Sequence, residues 1–304
     1  MTKFDVVGFG ALNVDMLFKV NKLAGEEEES FIEDYTEACG GSAANTTVGL
    51  ARLGCKVGFI GKVASDREGK LQIDCFSSEG VDTGGIIQAK QGKSGSVLGF
   101  VDKKGARALY INSGVNDTIE PREINYSYLS QTKFLHQTSF VGEKSLRAQK
   151  KLLAALPNDV KISFDPGSVY AQKGFSAIEP IIRSTYVLMP NATELELLTG
   201  EADYCKGADL MIELGVKIVA VKLGTKGCYV TDGQEKLNIE PFKVKVVDTT
   251  GAGDAFCAGF LYGLINNKSL YECGRLGNFV ASRSVTAMGA RAGLPYAKDL
   301  AFLY

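Results

Sequence analysis

An alternation of apolar and amphipathic segments in the middle of the chain restricts the fold more than any other feature. Residues 134–137 form a short apolar run, residues 144–156 repeat apolar positions at helical spacing, and residues 162–165 are apolar again. This strand, helix, strand order predicts a mostly parallel sheet with helices on both faces. Ligand sites in such sheets lie beyond the carboxyl ends of the strands, where Ser139 and Asp165 fall. Both side chains are therefore candidates for substrate contact.

Other segments extend this pattern and add a second region that is rich in β-formers. Further strands are expected at residues 5–10, 57–61, 186–190 and 244–247, and a hairpin at residues 217–222 and 228–231. Residues 97–101 and 106–111 are joined by Asp102-Lys-Lys-Gly105, a turn with glycine available for positive φ. Together with the extended segments near the N-terminus, these runs predict a second, smaller sheet. No repeat, low-complexity linker or clean boundary divides residues 1–304, so a single domain is expected.

Charge and cysteine content exclude several classes of protein. The 34 Lys and Arg nearly cancel the 35 Asp and Glu, so neither nucleic acid nor a membrane surface is expected as a partner. No stretch approaches 18 consecutive apolar residues, and the chain enters a strand without a secretory leader. The seven scattered cysteines include no Cys-x-x-Cys, which is typical of reduced thiols in a cytoplasmic protein. With His136 as the single histidine, a histidine triad or a multi-histidine metal site is not expected.

The segment Asp248-Thr-Thr-Gly-Ala-Gly-Asp254-Ala-Phe256 has the composition of a phosphate-binding turn. It precedes an apolar helix through residue 266, and Gly251 and Gly253 fall in the first helical turn. Each glycine there costs about 1 kcal/mol relative to alanine, so a ligand is expected to approach the backbone closely. The unpaired amides and the dipole at a helix start bind phosphate oxygens.

Asp254 is the candidate catalytic residue of this segment. A carboxylate beside a phosphate site is unfavourable unless it takes a proton from a hydroxyl that attacks the phosphorus. The alternative is an ordinary turn in which Thr250 caps the helix and Asp254 complements the helix dipole. A dinucleotide-binding fingerprint is a weaker match, because Phe256 replaces its third glycine.

Two polar segments near the N-terminus are candidates for substrate binding. Asn13 and Asp15 share one face of an extended segment, from which an amide and a carboxylate can form hydrogen bonds with sugar hydroxyls. The alternative is a solvated strand face. Gly40-Gly-Ser-Ala-Ala-Asn45 then opens a helix, where paired glycines allow a ligand to touch the backbone and Asn45 lies one turn further on.

These segments, in this order, resemble the ribokinase-like (PfkB) carbohydrate kinases over about residues 5 to 295. The resemblance implies a three-layer α/β fold with a mostly parallel central sheet. It also implies a small β-sheet lid, formed by segments at about residues 12–36 and 92–114, that covers the sugar and often pairs with a second lid as a homodimer. The implied reaction is ATP-dependent phosphorylation of a primary hydroxyl on a sugar-like small molecule.

The same resemblance implies a role for individual residues. Asp254 corresponds to the catalytic base, and the amides of Gly251, Ala252 and Gly253 form the anion hole. Substrate-binding positions are Asn13, Asp15, Gly40, Gly41 and Asn45, and nucleotide-binding positions are Asn191, Glu194, Lys222, Gly224, Lys226, Gly227 and Asn278. Glu194 would act on Mg²⁺ through water, although Asn191 and Glu194 also fit a capping box. A monovalent cation such as K⁺ would be held by Asp248, Thr250 and the loop at Gly289.

Departures from the family pattern leave the substrate open. Ser42 stands where ribokinases usually have Lys, Ser139 stands where they tend to have Glu, and Asp165 is followed by Pro-Gly-Ser. One alternative is a nucleoside kinase, in which a base would stack on aromatic side chains; the candidates are Phe18, Phe100, Tyr110 and Phe140. A binding sensor that lost turnover is a further alternative, against which the intact Asp254 argues.

Overall fold

The computed structural model describes residues 2–104 and 106–303. Its strands are β1 (Phe4–Phe9), β2 (Asn13–Val20), β3 (Ile32–Gly40), β4 (Val57–Ala64), β5 (Asp82–Ala89), β6 (Gly95–Val101), β7 (Arg107–Asn112), β8 (Thr132–Gln137), β9 (Lys161–Phe164), β10 (Val187–Leu188), β11 (Ile218–Lys222), β12 (Cys228–Thr231) and β13 (Lys236–Ile239). Its α-helices are α1 (Ser42–Arg52), α2 (Arg67–Ser78), α3 (Tyr126–Leu129), α4 (Glu143–Leu153), α5 (Gly167–Lys173), α6 (Phe175–Arg183), α7 (Ala192–Thr199), α8 (Tyr204–Glu213), α9 (Ala252–Ile265) and α10 (Leu270–Ser284). Within those residues, no helix combines the length and apolar character that a membrane crossing requires.

The central sheet has nine strands in the order β13-β12-β11-β10-β9-β8-β1-β4-β5. Strands β11 to β5 of this order are parallel, whereas β12 and β13 form an antiparallel edge. The predicted mostly parallel sheet is confirmed, and so is the hairpin of β11 and β12. Because the strands run in parallel, the chain segments that follow β1, β8, β9 and β10 all emerge at one edge.

Helices cover both faces of this sheet, as a three-layer fold requires. Successive residues of a strand point to opposite faces, so Val6 belongs to the core cluster that includes residues of α1, α9 and α10, while Val7 belongs to the cluster that includes residues of α4. Helices α9 and α10 approach closely at Gly259, where an added Cβ would lie 2.4 Å from the carbonyl oxygen of Leu276. This close packing fixes α9, the helix that carries Asp254, against the rest of the core.

A separate four-stranded sheet has the order β3-β2-β6-β7. Strand β2 pairs antiparallel with β3 and parallel with β6, and β6 pairs antiparallel with β7. The predicted second sheet is therefore present. The pairing of β6 with β7 agrees with the hairpin that the sequence predicted, although the turn residue Gly105 lies outside the described residues.

The strand predicted at residues 244–247 is wrong, because this segment is irregular. Val246 and Val247 are 53% and 52% exposed, so they do not enter the apolar core. The amides of Val247 and Asp248 donate to the carbonyl oxygen of Val285 at 2.8 and 3.3 Å instead of joining a strand ladder. Apolar side chains here line a cavity, which is why their pattern mimics that of a strand.

Candidate active site

Glycine geometry shapes the start of α9. Gly251 precedes the helix with φ 75°, and an added Cβ would lie 2.6 Å from the Cβ of Ala290. Among the described residues no side chain caps this helix, since the Thr250 hydroxyl donates to Oδ1 of Asp248 at 2.8 Å. The alternative in which Thr250 is the cap is therefore wrong. In the described part of the chain, no cap side chain occupies the amides of the first helical turn, although the Ala252 amide donates to the carbonyl oxygen of Thr249 at 3.2 Å; a helix start without a side-chain cap suits an external anion.

Asp254 lies in this first turn and is held by the start of α1. The Ser42 hydroxyl donates to its Oδ1 at 2.5 Å, and Nδ2 of Asn45 donates to its Oδ2 at 2.8 Å. The Thr46 hydroxyl also donates to the Asp254 carbonyl oxygen at 3.1 Å. The sequence thus brings residues about 210 positions apart into one partly exposed cluster. Both oxygens of the carboxylate are oriented by these contacts.

The surroundings of Asp254 alter its acidity. Burial raises the pKa of Asp254 from 3.8 to about 6, and the hydrogen bonds from Ser42 and Asn45 oppose that rise. The Asp165 carboxylate raises this pKa further, whereas the Lys222 ammonium lowers it. A carboxyl with a pKa near 6 is ionised at neutral pH and is a stronger proton acceptor than a free aspartate.

A cavity of about 450 Å³ opens beside the glycine turn. Its wall is mostly apolar and is formed by residues of α9, α10, the segment after β13 and the turn after β11: Lys222, Gly224, Thr225, Gly227, Pro241, Phe242, Lys243, Val244, Val246, Thr249, Ala252, Gly253, Phe256, Asn278, Ala281, Ser282 and Val285. The predicted nucleotide residues Lys222, Gly224, Gly227 and Asn278 are all in this wall. Lys226 belongs to the same turn but does not line the cavity.

Lys222 occupies the boundary between the cavity and the glycine turn. Its Nζ forms an ion pair with Oδ2 of Asp165 at 2.5 Å and would lie 3.4 Å from a Cβ on Gly253. Burial alone would lower the pKa of Lys222, but Asp165 and neighbouring acidic groups raise it above its ordinary value. The ammonium therefore stays charged, and Asp165 is engaged with it. The other candidate at this edge, Ser139, lies against Gly167.

Asn191 and Glu194 form the capping box that the sequence suggested. The Glu194 amide donates to Asn191 Oδ1 and the Asn191 amide donates to Glu194 Oε2, both at 2.8 Å. Glu194 is nevertheless buried, and burial followed by the Asp165 charge raises its pKa. Because Glu194 interacts electrostatically with Lys222 and Asp254, it belongs to the same cluster of charges.

The predicted substrate residues meet where the second sheet joins the core. Asn13 and Asp15 lie on β2, and their strand pairs with the end of β3 at Gly40. An added Cβ at Gly40 would lie 2.2 Å from Oδ2 of Asp15, so only glycine leaves room for this carboxylate. Gly41 has φ 107° and starts α1, which carries Asn45. Burial raises the pKa of Asp15 to about 6. The positive charge of Arg291 lowers this pKa, and the Asp254 carboxylate raises it further.

Two residues that the sequence reading missed support this group. Asn116 donates from Nδ2 to Oδ1 of Asn13 at 2.9 Å and fixes the amide of that side chain. Arg291 donates from Nε to Oδ1 of Asn45 at 2.8 Å and is the arginine that lowers the pKa of Asp15. Arg291 lies in Gly289-Ala-Arg-Ala-Gly293, where a large cation among small residues was a signal. A buried Asn116 gives no such signal.

Asp248 connects the two loops that were predicted to hold a monovalent cation. Its Oδ1 accepts the amide of Thr250 at 3.0 Å, and its Oδ2 accepts the amide of Gly289 at 2.8 Å. Gly289 has φ 84°, which brings its loop toward Asp248. The three predicted residues are therefore neighbours.

The aromatic side chains suggested for base stacking do not face Asp15. Phe140 is 1% exposed and packs against Phe9. Phe18 is three residues beyond Asp15 on β2 and so points to the opposite face of the sheet, where it stacks on Phe100 at 5.2 Å between ring centroids. Tyr110 contacts Phe100 on this opposite face.

A three-layer α/β fold with a carboxylate beside an open glycine turn and a cavity of nucleotide size defines a phosphotransferase of the carbohydrate kinase type. The family described as pfkB family carbohydrate kinase matches residues 3–297, and the chain belongs to this family. The predicted family and fold are thereby confirmed.

Individual relatives cover between 83% and 100% of the chain. An uncharacterized sugar kinase of Archaeoglobus fulgidus is 46% identical over 255 residues, which are 83% of this chain and 100% of the relative. The ribokinase of Haemophilus influenzae is 32% identical over 295 residues, 94% of each chain. A structure of Arabidopsis thaliana ribokinase complexed with ribose and ATP superposes with a TM-score of 0.89 at 26% identity, covering 100% of this chain and 99% of that one.

Proposed function

We propose that this protein transfers the terminal phosphoryl group of ATP to a primary hydroxyl of a sugar, with Asp254 as the general base. The observation that carries the proposal is the carboxylate held by Ser42 and Asn45 beside the glycine turn. Membership in a carbohydrate kinase family and similarity to ribokinases support the same reaction. The structural support for ATP is the cavity at the other side of that turn.

In the proposed reaction, the acceptor hydroxyl gives its proton to the Asp254 carboxylate while its oxygen attacks the terminal phosphorus of ATP. The bond from that phosphorus to the bridging oxygen breaks, and ADP leaves with the electron pair. A pKa of about 6 leaves this carboxylate ionised at neutral pH and able to accept the proton. The amides of Gly251, Ala252 and Gly253 stabilise the negative charge of the transferred group, with the helix dipole behind them. Lys222, in front of Gly253, adds a full positive charge.

The proposed sugar site consists of Asn13, Asp15, Gly40, Gly41 and Asn45. On one face of β2 the Asn13 amide can donate to or accept from sugar hydroxyls, and the ionised Asp15 carboxylate can accept from them, which suits a polyhydroxylated ligand. We propose Ser139 and Asp165, which follow the neighbouring strands β8 and β9 at the same edge of the central sheet, as further substrate contacts. Asp165 would act there through its ion pair with Lys222.

The proposed nucleotide site consists of Asn191, Glu194, Lys222, Gly224, Lys226, Gly227 and Asn278. The apolar wall between Phe242 and Phe256 suits a purine ring, while Lys222 and Gly253 at one end suit phosphates. Asn278 donates to the carbonyl oxygens of Ile239 and Glu240 at 3.0 Å, so it shapes this wall through the backbone.

Two cations are part of the proposal. Glu194 is a buried carboxylate that interacts electrostatically with Asp165 and Lys222, and a carboxylate oxygen supplemented by waters fits Mg²⁺ held through water; bound Mg²⁺ would screen the phosphate charges. A monovalent cation such as K⁺ would lie near Asp248, Thr250 and Gly289, whose carboxylate and backbone oxygens are hard donors. Its role would be to steady the glycine turn.

We further propose that residues 1–304 are one kinase domain and that the sheet of β2, β3, β6 and β7 is a lid over the sugar. A lid excludes water and thereby protects the activated phosphoryl group from hydrolysis. The face of this sheet opposite Asp15 carries Phe18, Tyr35, Phe100 and Tyr110 in mutual ring contact, which suits pairing with the lid of a second copy.

The test is ATP consumption by the purified protein with a panel of free sugars, sugar acids and nucleosides, with Mg²⁺ and with or without K⁺. Turnover with at least one sugar is the expected result. Turnover with nucleosides alone would replace the proposal by a nucleoside kinase, which the aromatic positions on the opposite sheet face do not favour. Sugar binding in a thermal-shift assay without any turnover would indicate a sensor.

A further inference from the structure

Arg291 is a buried cation that donates hydrogen bonds to two residues of the candidate active site, Asn45 and Gly40. Its Nε donates to Oδ1 of Asn45 at 2.8 Å, and its Nη2 donates to the carbonyl oxygen of Gly40 at 3.3 Å. Its Nη1 donates to Sγ of Cys75 at 3.2 Å on the far side. The guanidinium therefore joins the last residue of β3, the first turn of α1 and helix α2.

The contact with Asn45 decides which way that amide points. A side-chain amide has an acceptor oxygen and a donor nitrogen that exchange places when the group rotates by half a turn. Arg291 offers only donors, so it selects the orientation with Oδ1 toward itself. In that orientation Nδ2 faces Oδ2 of Asp254 and donates to it at 2.8 Å. The reverse orientation would bring two acceptor oxygens together.

We infer that Arg291 is a positioning residue for phosphoryl transfer, which orients Asn45 so that Asn45 in turn orients the Asp254 carboxylate. This inference rests on the proposed function of Asp254. It concerns a residue that does not itself contact the reacting atoms, and it links the base of the second sheet at Gly40 to the catalytic carboxylate through one side chain.

The guanidinium is held in place before any substrate arrives. Arg52 donates from Nη1 to the Arg291 carbonyl oxygen at 2.6 Å and is itself paired with Glu79 at 2.6 Å. The Arg291 guanidinium also lies 5.7 Å from the ring centroid of Phe76. The Arg52 contact fixes the backbone of Arg291, and the Phe76 ring together with the three hydrogen bonds of the guanidinium restricts the side chain, which is the condition for precise support of a neighbouring group.

Loss of the orienting contact from Arg291 should change the pKa of Asp254. The charged groups that face this carboxylate are Asp15, Asp165, Glu194 and Lys222. Donation from Asn45 opposes the rise in pKa that burial causes, so losing it leaves the pKa of Asp254 above about 6. The acid limb of the rate profile should then move to higher pH.

The experiment compares Arg291→Gln, Arg291→Lys, Asn45→Ala and the double variant Arg291→Gln/Asn45→Ala, with Arg183→Gln on the exposed face of α6 as the matched control. For Arg291→Gln we expect about a tenfold loss of kcat, because one oriented hydrogen bond to the base is lost. We also expect the acid limb to shift upward and KM for ATP to stay unchanged. In the Asn45→Ala background the same substitution should cost less than about twofold, since its target is already gone.

Additive losses in the double variant, or a normal kcat and acid limb with only a lower Tm, would overturn the inference and leave Arg291 a structural residue. If Arg291→Gln does not fold, Arg291→Lys decides, because a lysine keeps the charge without the three fixed donors. A wild-type pH profile of kcat in Arg291→Lys would also overturn the inference. None of these results bears on the base itself, which Asp254→Asn tests separately.

Discussion

At the scale of single residues, the proposed chemistry depends on a carboxylate whose two oxygens are both occupied by donors from α1. Replacing Asp254 by Asn removes the proton acceptor while keeping the shape, so we expect kcat to fall by about 10² to 10⁴ fold. Binding of a nonhydrolysable ATP analogue should remain, because the cavity is formed by other residues. Steady-state kinetics and calorimetry measure the two effects.

The matched control for this substitution is Asp209→Asn, which removes an exposed ion pair with Lys236 on the opposite side of the central sheet from α9. That variant should keep wild-type kcat. Activity of Asp254→Asn close to that of the control would eliminate the assigned base.

The raised pKa values of Asp254 and Asp15 predict that activity and stability depend on pH in opposite directions. Burial raises the pKa of both Asp254 and Asp15 to about 6, so kcat/KM should fall as the pH drops below about 6. A folded-state pKa above the unfolded value stabilises the fold at low pH, and that contribution is lost as the pH rises through 6. The Tm should therefore not decrease between pH 7 and pH 5.5 while activity decreases. A parallel loss of both would point to unfolding instead.

The residues of the site could be predicted from the sequence only where a local pattern marked them. Asp254 and Asn45 lie in glycine-rich segments, and these glycines predict that a ligand approaches the backbone closely. Arg291 reaches Asn45 across 246 positions, and Asn116 reaches Asn13 across 103, so no local pattern contains either contact. Such support appears only after the fold brings the segments together.

At the scale of elements, the start of α9 depends on the left-handed conformation of Gly251. Gly251→Ala would strain a φ of 75° and place a Cβ 2.6 Å from that of Ala290. We expect kcat to fall by at least about tenfold because the first-turn amides would shift from the phosphate position. Kinetics at saturating ATP measures the loss.

Gly200→Ala is the control that separates the predicted loss of kcat in Gly251→Ala from the general cost of backbone strain. Gly200 ends α7 with φ 73°, and nothing lies within 4 Å of an added Cβ. It should cost about 1 kcal/mol of stability and leave kcat unchanged. Equal kinetics in the two variants would contradict a catalytic role for the turn.

The elements themselves were predictable where apolar periodicity reflects burial, and unpredictable where it does not. Strands β1, β4, β8 and β9 fell within a few residues of their predicted bounds because their side chains enter the core. The segment at residues 244–247 has the same apolar character but lines the cavity, so its sequence predicts a strand that the structure does not contain. A sequence cannot distinguish side chains that meet a core from those that meet a ligand.

At the scale of the whole molecule, the exposed aromatic face of the second sheet predicts an assembly. Tyr35 and Tyr110 are 62% and 63% exposed, yet both contact a row of rings that continues through Phe18 and Phe100. An apolar patch of this extent is costly in water unless another surface covers it. We expect the wild-type protein to be a dimer at micromolar concentration in light scattering.

Tyr110→Asp should convert that dimer to a monomer, since a charge would be buried without a partner. Tyr271→Asp is the matched control, because Tyr271 is similarly exposed but lies on α10, remote from the aromatic face. If dimerisation also orders the proposed lid, the monomer should show a higher KM for sugar with little change in KM for ATP, because the proposed sugar and ATP sites are on different sides of the glycine turn. A monomeric wild type would contradict the predicted dimer. A dimer that survives Tyr110→Asp would show that the interface lies on another surface.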